Sequence, residues 1–149
     1  MTVTLRSVSK DDWDFILTIR NDQSVRDASY DTSIISKSDH FEYMKKINND
    51  SKCYQWIITN DDENIGYVKL IHGDFGYVIK KEFRGKGFGT LLYKAVFSEL
   101  KKIGIKRIFG YIKLNQTIPL RLALKVGFIQ KGIIKKNNVE YYYVIKSFE

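Results

Sequence analysis

Polar and apolar positions change period several times along the chain, and each change marks an element. Residues 2–8 alternate, with Val3 and Leu5 on one face of a strand. Ser9-Lys10-Asp11-Asp12 then reads as a helix start, with Ser9 or Asp12 as the cap, ahead of Trp13, Ile16, Leu17 and Arg20 at helical spacing. The polar stretch 21–33 has no period and reads as a connection. Phe41, Met44 and Ile47 recur three apart, one face of a second helix over 36–48 that stops at Asn48-Asn49-Asp50. Three strand-like runs follow, 53–59, 65–72 and 75–79, parted by Asn60-Asp61-Asp62-Glu63-Asn64 and by Gly73-Asp74, and they predict an antiparallel meander. From Gly87 to Gly104, Leu91, Leu92, Ala95, Val96, Leu100 and Ile103 share one helical face, with Lys94, Ser98, Lys101 and Lys102 opposite. Residues 106–112 form a strand, and Pro119 suits the first turn of a short helix that stops at Gly127. Residues 128–134 and 139–145 close the chain as a hairpin over Lys136-Asn137-Asn138.

A strand, helix, strand crossover after an antiparallel run demands a parallel pair. The expected fold class is therefore α+β: a mixed, mostly antiparallel central sheet of about seven strands with helices on both faces. No repeat, linker or low-complexity run interrupts the 149 residues, which are assigned to one domain, 1–149. A hydrophobic share of 44% supplies one sizeable core and argues against disorder. No apolar run approaches the ~18 residues of a membrane helix, so no membrane partner is expected. The start, Met1-Thr2-Val3-Thr4-Leu5-Arg6, lacks a secretory pattern, and the single Cys53, read as a core-strand residue, has no partner for an internal disulfide. A cytoplasmic location fits both. No Cys/His spacing suits a metal, and none is expected. The excess of 25 Lys+Arg over 17 Asp+Glu, +8, favours anionic partners. The lysines are spread rather than blocked, so a solvated basic surface is expected and nucleic acid is not. Oligomeric state stays open between monomer and homodimer.

Chemistry concentrates between Tyr77 and Leu92. There a strand ends, a basic turn follows, and Gly85, Gly87 and Gly89 open an amphipathic helix. Backbone N–H groups without intrahelical partners then converge on one spot, where the positive end of the helix dipole favours an anion. Lys80, Lys81, Arg84 and Lys86 surround it, with Glu82 alone opposing. The spacing is neither the dinucleotide G-x-G-x-x-G nor the G-x-x-x-x-G-K-[ST] loop.

Arg84-Gly85-Lys86-Gly87-Phe88-Gly89 resembles the Gln/Arg-x-x-Gly-x-Gly/Ala pyrophosphate signature of the GCN5-related N-acetyltransferase (GNAT) superfamily. The element order is similar over nearly the whole chain, and residues 115–128 resemble the family's second cofactor motif, an Asn leading a short helix that ends in Gly-Phe. The resemblance implies an acetyl-CoA-dependent N-acetyltransferase whose acetyl-CoA pyrophosphate is held by Arg84, Gly85, Lys86, Gly87, Phe88, Gly89 and Thr90, with Asn115 also at the cofactor. It further implies that Ile79, last in its strand, bonds the pantetheine arm and offers its N–H to the thioester oxygen. Where relatives often carry a general-acid Tyr four residues before the Gly, this chain has Ala123, and the Asn115-to-Gly127 interval is one residue longer than usual. Tyr111, Tyr141, Tyr142 and Tyr143 are the possible replacements, against the plainer reading that strand aromatics pack.

For the base, His72 and Asp74 border the strand that ends at Ile79, each acting through a water. The acceptor is read from residues 20–40. Arg20-Asn21-Asp22, Arg26 and His40 resemble the amino-sugar nucleotide N-acetyltransferases of the pseudaminic acid type, and share short motifs with the ribosomal-protein N-terminal acetyltransferases. That likeness implies a small, anionic amine acceptor, with Arg20 or Arg26 on a phosphate, Tyr30 or Tyr43 stacked on uracil, and His40 alongside. A protein N-terminus as acceptor, and a module that binds CoA without transfer, are the alternatives.

Overall fold

The computed structural model describes residues 2–148. β1 (Val3–Ser7) passes through a 3-10 turn (Lys10–Asp12) into α1 (Trp13–Arg20), followed by α2 (Gln23–Ala28) and α3 (Lys37–Asn48). The meander is β2 (Cys53–Asn60), β3 (Glu63–Ile71) and β4 (Asp74–Ile79). After it come α4 (Phe88–Lys102), β5 (Arg107–Lys113), α5 (Thr117–Lys125), β6 (Ile129–Lys136) and β7 (Val139–Ser147). The entry to α1 is fixed electrostatically: the Arg6 fork donates to both oxygens of buried Asp12, at 2.7 and 2.9 Å, and Asp12 accepts from the Ser9 N–H at 2.8 Å.

The seven strands lie in the order β1-β2-β3-β4-β5-β7-β6. Every neighbouring pair is antiparallel except β4 with β5, as the crossover through α4 requires. Helices cover both faces. On one, Leu92, Val96 and Leu100 of α4 and Ala123 of α5 pack on Val68, Leu70, Phe75 and Ile108. On the other, Trp13, Ile16 and Ile19 of α1 and Met44 of α3 pack on Ile57 and Tyr67. Alternation along each strand feeds both cores, so the mixed sheet expected from the sequence is the observed one.

Five details differ from the sequence reading. The stretch 21–33 contains α2, whose one buried side chain is Val25. In α3 the inward face is His40, Met44 and Ile47, and Phe41 is left 37% exposed with its ring edge on Trp13. Ile103 is the C-cap residue of α4 and is 39% exposed, because the helix ends before that face closes. Cys53 opens β2 only half-buried, and His72 lies in the β3–β4 turn with φ 49°, not in the strand.

Candidate active site

The site begins with a strand edge that has lost its neighbour. The Lys80 N–H donates to the Ile65 carbonyl at 2.7 Å, and the register pairs Ile79 with Gly66. Hydrogen-bonded pairs alternate along an antiparallel ladder, so Phe75, Tyr77 and Ile79 turn their backbone groups away from β3 and toward β5. β5 meets β4 only at Asp74–Phe109, where the Phe109 N–H donates to the Gly73 carbonyl at 3.0 Å. Beyond that point the two strands part. Arg84 Nε takes the Ile79 carbonyl at 2.8 Å, which leaves the Ile79 N–H facing the gap.

At the mouth of the gap the loop 84–87 leads into α4. Gly85 and Gly87 have φ of 72° and 85°, and a Cβ at either would meet no atom within 4 Å. A left-handed backbone there turns successive N–H groups to the same side, over open space. Gly87 is the N-cap of α4 and supplies no side-chain cap, so the first-turn N–H groups of Phe88, Gly89 and Thr90 lack partners within the helix. These amides form an open cradle of unpartnered donors at a helix N-terminus, an arrangement that suits an anion. Gly89 differs from the other two glycines: a Cβ there would lie 2.6 Å from Leu122 Cδ2, so its bare backbone serves the approach of α5.

The side chains around the cradle divide. Arg84, besides Ile79, donates Nη1 to Ser24 Oγ at 2.6 Å and lies 3.7 Å from Asp22, which caps α2 by accepting from the Ser24 N–H. Its guanidinium ties the loop to α2. Lys86 is exposed and Lys80 sits 3.8 Å from Glu82. Asn115 is exposed on the turn between β5 and α5, Pro119 lies in the first turn of α5, and Ala123 is buried in the core at 1% exposure. The position where relatives often place an acid therefore faces packing, not the gap.

On the α1–α3 side, Tyr30 donates its hydroxyl to both oxygens of Asp74, at 2.9 and 3.1 Å, while its ring is 55% exposed. Tyr111 and Tyr141 pack edge-on to that ring, and Tyr143 stacks on Tyr111. Burial pushes the Asp74 carboxyl above its usual range, against the Tyr30 hydrogen bond and the charges of Lys69 and Lys136. Desolvation of its hydroxyl end against Asp74 likewise pushes the Tyr30 phenol up, helped by the Asp74 charge, although the residue as a whole is exposed. Lys136 lies 3.6 Å from the centre of the Tyr111 ring, and Lys69 donates to the Tyr43 hydroxyl at 3.2 Å. Sequence reading missed both lysines, although Lys69 interrupts an otherwise apolar run in β3.

The other residues read from 20–40 form a clasp. His40 is 2% exposed: Nε2 lies 2.8 Å from the Trp13 carbonyl and Nδ1 lies 3.1 Å from Arg20 Nη1. A carbonyl accepts and a guanidinium donates, so the imidazole is the neutral Nε2–H tautomer. Asn21 pairs with both backbone groups of Ile35, and Arg26 donates to the carbonyls of Asn21 and Thr32 and to Gln23. Together they hold the connection that carries Tyr30. His72 stands apart from Asp74: its ring is 2.6 Å from Asp50 at the outer end of the sheet.

A mixed sheet parted between two parallel strands, with an amide cradle at the mouth and a carboxylate on the far side, defines an acyltransferase built for a diphosphate-bearing thioester. The family model described as acetyltransferase (GNAT) domain matches residues 2–129, and the chain belongs to that family. It is an acetyl-CoA-dependent N-acetyltransferase, as its sequence led us to expect. Solved structures agree in fold. Spermidine N-acetyltransferase from Vibrio cholerae in complex with CoA and spermine is 20% identical, with TM-score 0.87 over 97% of this chain and 95% of that one. Aminoglycoside acetyltransferase AAC(6')-Ib in complex with coenzyme A and kanamycin is 18% identical, with TM-score 0.83 over 98% and 95%. Among the described residues, no helix is long and apolar enough to cross a membrane.

Proposed function

We propose that the acceptor is the primary amine of a small anionic molecule, an amino-sugar nucleotide in class, which attacks the thioester directly. One arrangement carries the reading: Asp74, engaged by Tyr30, is flanked by Lys69 and Lys136. A lone carboxylate offers a seat for one ammonium, and two cations beside it favour an acceptor whose remainder is negative. The spermine and kanamycin bound by the structural relatives are polycations, which these lysines would repel. Tyr30 and Tyr111 offer ring surface to a base or sugar.

In this scheme the amides of 85–90 hold the diphosphate and aim the thioester into the gap, and the Ile79 N–H meets the oxyanion. Nitrogen bonds to the carbonyl carbon as the carbon–sulfur bond breaks. The amine's proton passes along a chain of waters in the gap to Asp74, five residues before Ile79 in β4, and a thiolate of pKa about 8.5 leaves without an acid at position 123. Arg20, Arg26 and His40 act through the segment they hold. The test is thiol release from acetyl-CoA with a UDP-linked amino sugar, spermidine, kanamycin or a peptide with a free N-terminus. Turnover of the amino-sugar nucleotide is expected. Turnover confined to the cations or the peptide overturns the acceptor class, and tight acetyl-CoA binding without any turnover marks a binding module.

A further inference from the structure

A second cluster lies at the far end of β4, about 20 Å from the phosphate cradle for a strand of six residues. Asp50 follows α3, Cys53 opens β2, and His72 sits in the β3–β4 turn. The β2–β3 register sets Cys53 opposite Ile71 and so brings His72 beside it, although the two are far apart in sequence. Asp50 Oδ2 is 2.6 Å from His72 Nε2, and the ligating atoms of all three residues lie within 4.8 Å of one another.

The placement is held from behind. The Lys52 N–H donates to Asp50 Oδ1 at 2.9 Å, the Cys53 N–H to the Asp50 carbonyl at 3.1 Å, and the His72 N–H to the Lys52 carbonyl at 3.1 Å. Orientation of the carboxylate by a second hydrogen bond is what a metal-ligating group needs. The β3–β4 turn holds His72 at φ 49° ahead of Gly73, a left-handed position that histidine tolerates.

We propose that Asp50, Cys53 and His72 bind a divalent cation of the zinc class, one oxygen, one sulfur and one nitrogen ligand leaving a fourth position to water. This donor set suits zinc. Metal–ligand lengths of about 2.0 to 2.3 Å place tetrahedral ligand atoms roughly 3.3 to 3.6 Å apart, so His72 and Asp50 need to separate by under about 1 Å. The Cys53 thiol gives up its proton to the solvent on binding, and the exposed side of His72 is the entry path. The cradle and Ile79 lie at the other end of β4, so the ion would brace the β2, β3 and α3 ends on the Asp74 side and hold no part of the cosubstrate.

The test uses cobalt(II) as a spectroscopic stand-in on the full chain, with zinc affinity read by chelator competition. One equivalent is expected, with tetrahedral d–d bands and a thiolate-to-cobalt charge-transfer band that Cys53→Ser removes. His72→Asn and Asp50→Asn should each weaken zinc at least 10-fold, with far-ultraviolet dichroism confirming that the variants fold. A pale octahedral spectrum without the charge-transfer band overturns the proposal. Unchanged zinc affinity in folded Cys53→Ser and His72→Asn does the same.

Discussion

Replacing Gly87 by Glu separates the binding role of the loop from its structural one. Gly87 has φ 85° and an open volume where its Cβ would stand. A left-handed non-glycine residue costs about 1 to 2 kcal/mol, with no steric addition where nothing is in reach. At roughly 2 to 4 °C per kcal/mol for a chain of this size, Tm should fall by only a few degrees. The new carboxylate would lie close to a doubly charged diphosphate. A pair of unit charges 4 Å apart interacts by about 1 kcal/mol in bulk water and about 4 kcal/mol near a protein surface. Taking the solvent-rich end for an exposed loop, the repulsion is about 2 to 3 kcal/mol, or a 30- to 150-fold rise in Kd for CoA. Gly89→Ala is the contrasting variant. Its methyl would stand 2.6 Å from Leu122 Cδ2, so overpacking of α4 on α5 should cost about 1 to 3 kcal/mol of stability and lower Tm accordingly. Calorimetric titration with CoA and thermal melts of both proteins give the comparison. Wild-type CoA affinity in Gly87→Glu would refute the cradle.

Three further outcomes follow from the geometry. Burial lowers the His40 pKa below its ordinary 6.5, against the pull of the Trp13 carbonyl and with the Arg20 charge acting the same way as burial. The unfolded chain therefore takes the proton first: this contribution is intact above pH 6.5 and is lost as pH falls from there through the depressed folded value. Urea unfolding between pH 7.5 and 5 should show the loss, and His40→Asn should lack it. Gly66→Ala would drive a methyl into the Val78 carbonyl across the β3–β4 ladder, lowering Tm and, by moving Ile79, the acetylation rate in a thiol-release assay. Lys136→Glu should raise KM for an anionic acceptor by about 10-fold, worth about 1.4 kcal/mol, while KM for acetyl-CoA stays constant; equal effects on both substrates would remove Lys136 from the acceptor side.

The fold was legible wherever burial imposed a period. The strands and long helices of both cores alternate or recur as their faces demand, and type I′ hairpins announce themselves through Asp, Asn and Gly. α2 escaped because it buries one side chain and is held by polar contacts, the Asp22 cap and the Arg26 network, which leave no hydrophobic period; the Asp-x-Ser start was the one available signal. The three-residue spacing of Phe41, Met44 and Ile47 points Phe41 inward because positions three and four apart are both helical neighbours, whereas the side chain that fills that face is His40, bonded to the Trp13 carbonyl. The glycine-rich loop could be read from its spacing alone. That Gly89 is bare for packing could not, since Leu122 reaches it from another element. The proposed acceptor side was half legible: Asp74 and Tyr30 stand out in the sequence, whereas Lys69 and Lys136 come from two further segments and join them only through the fold.

The basic residues then divide by chemistry, and the division bears on how an anionic acceptor is held. Guanidiniums are planar forks that satisfy several acceptors at once, and four of them are used inside the protein. Arg6 serves Asp12, Arg20 serves His40, Arg26 serves Asn21, Thr32 and Gln23, and Arg84 serves Ile79 and Ser24. Each fixes a local segment of the chain, so Arg20 and Arg26 are legible as a motif while their contacts are with His40, Gln23 and the carbonyls of Asn21 and Thr32. On the proposed reading, anion binding falls to backbone amides at the cradle and to the single ammoniums of Lys69 and Lys136 beside Asp74. Amides in fixed directions suit the invariant diphosphate of the cosubstrate, whereas point charges on flexible stems suit an acceptor that must arrive, react and leave.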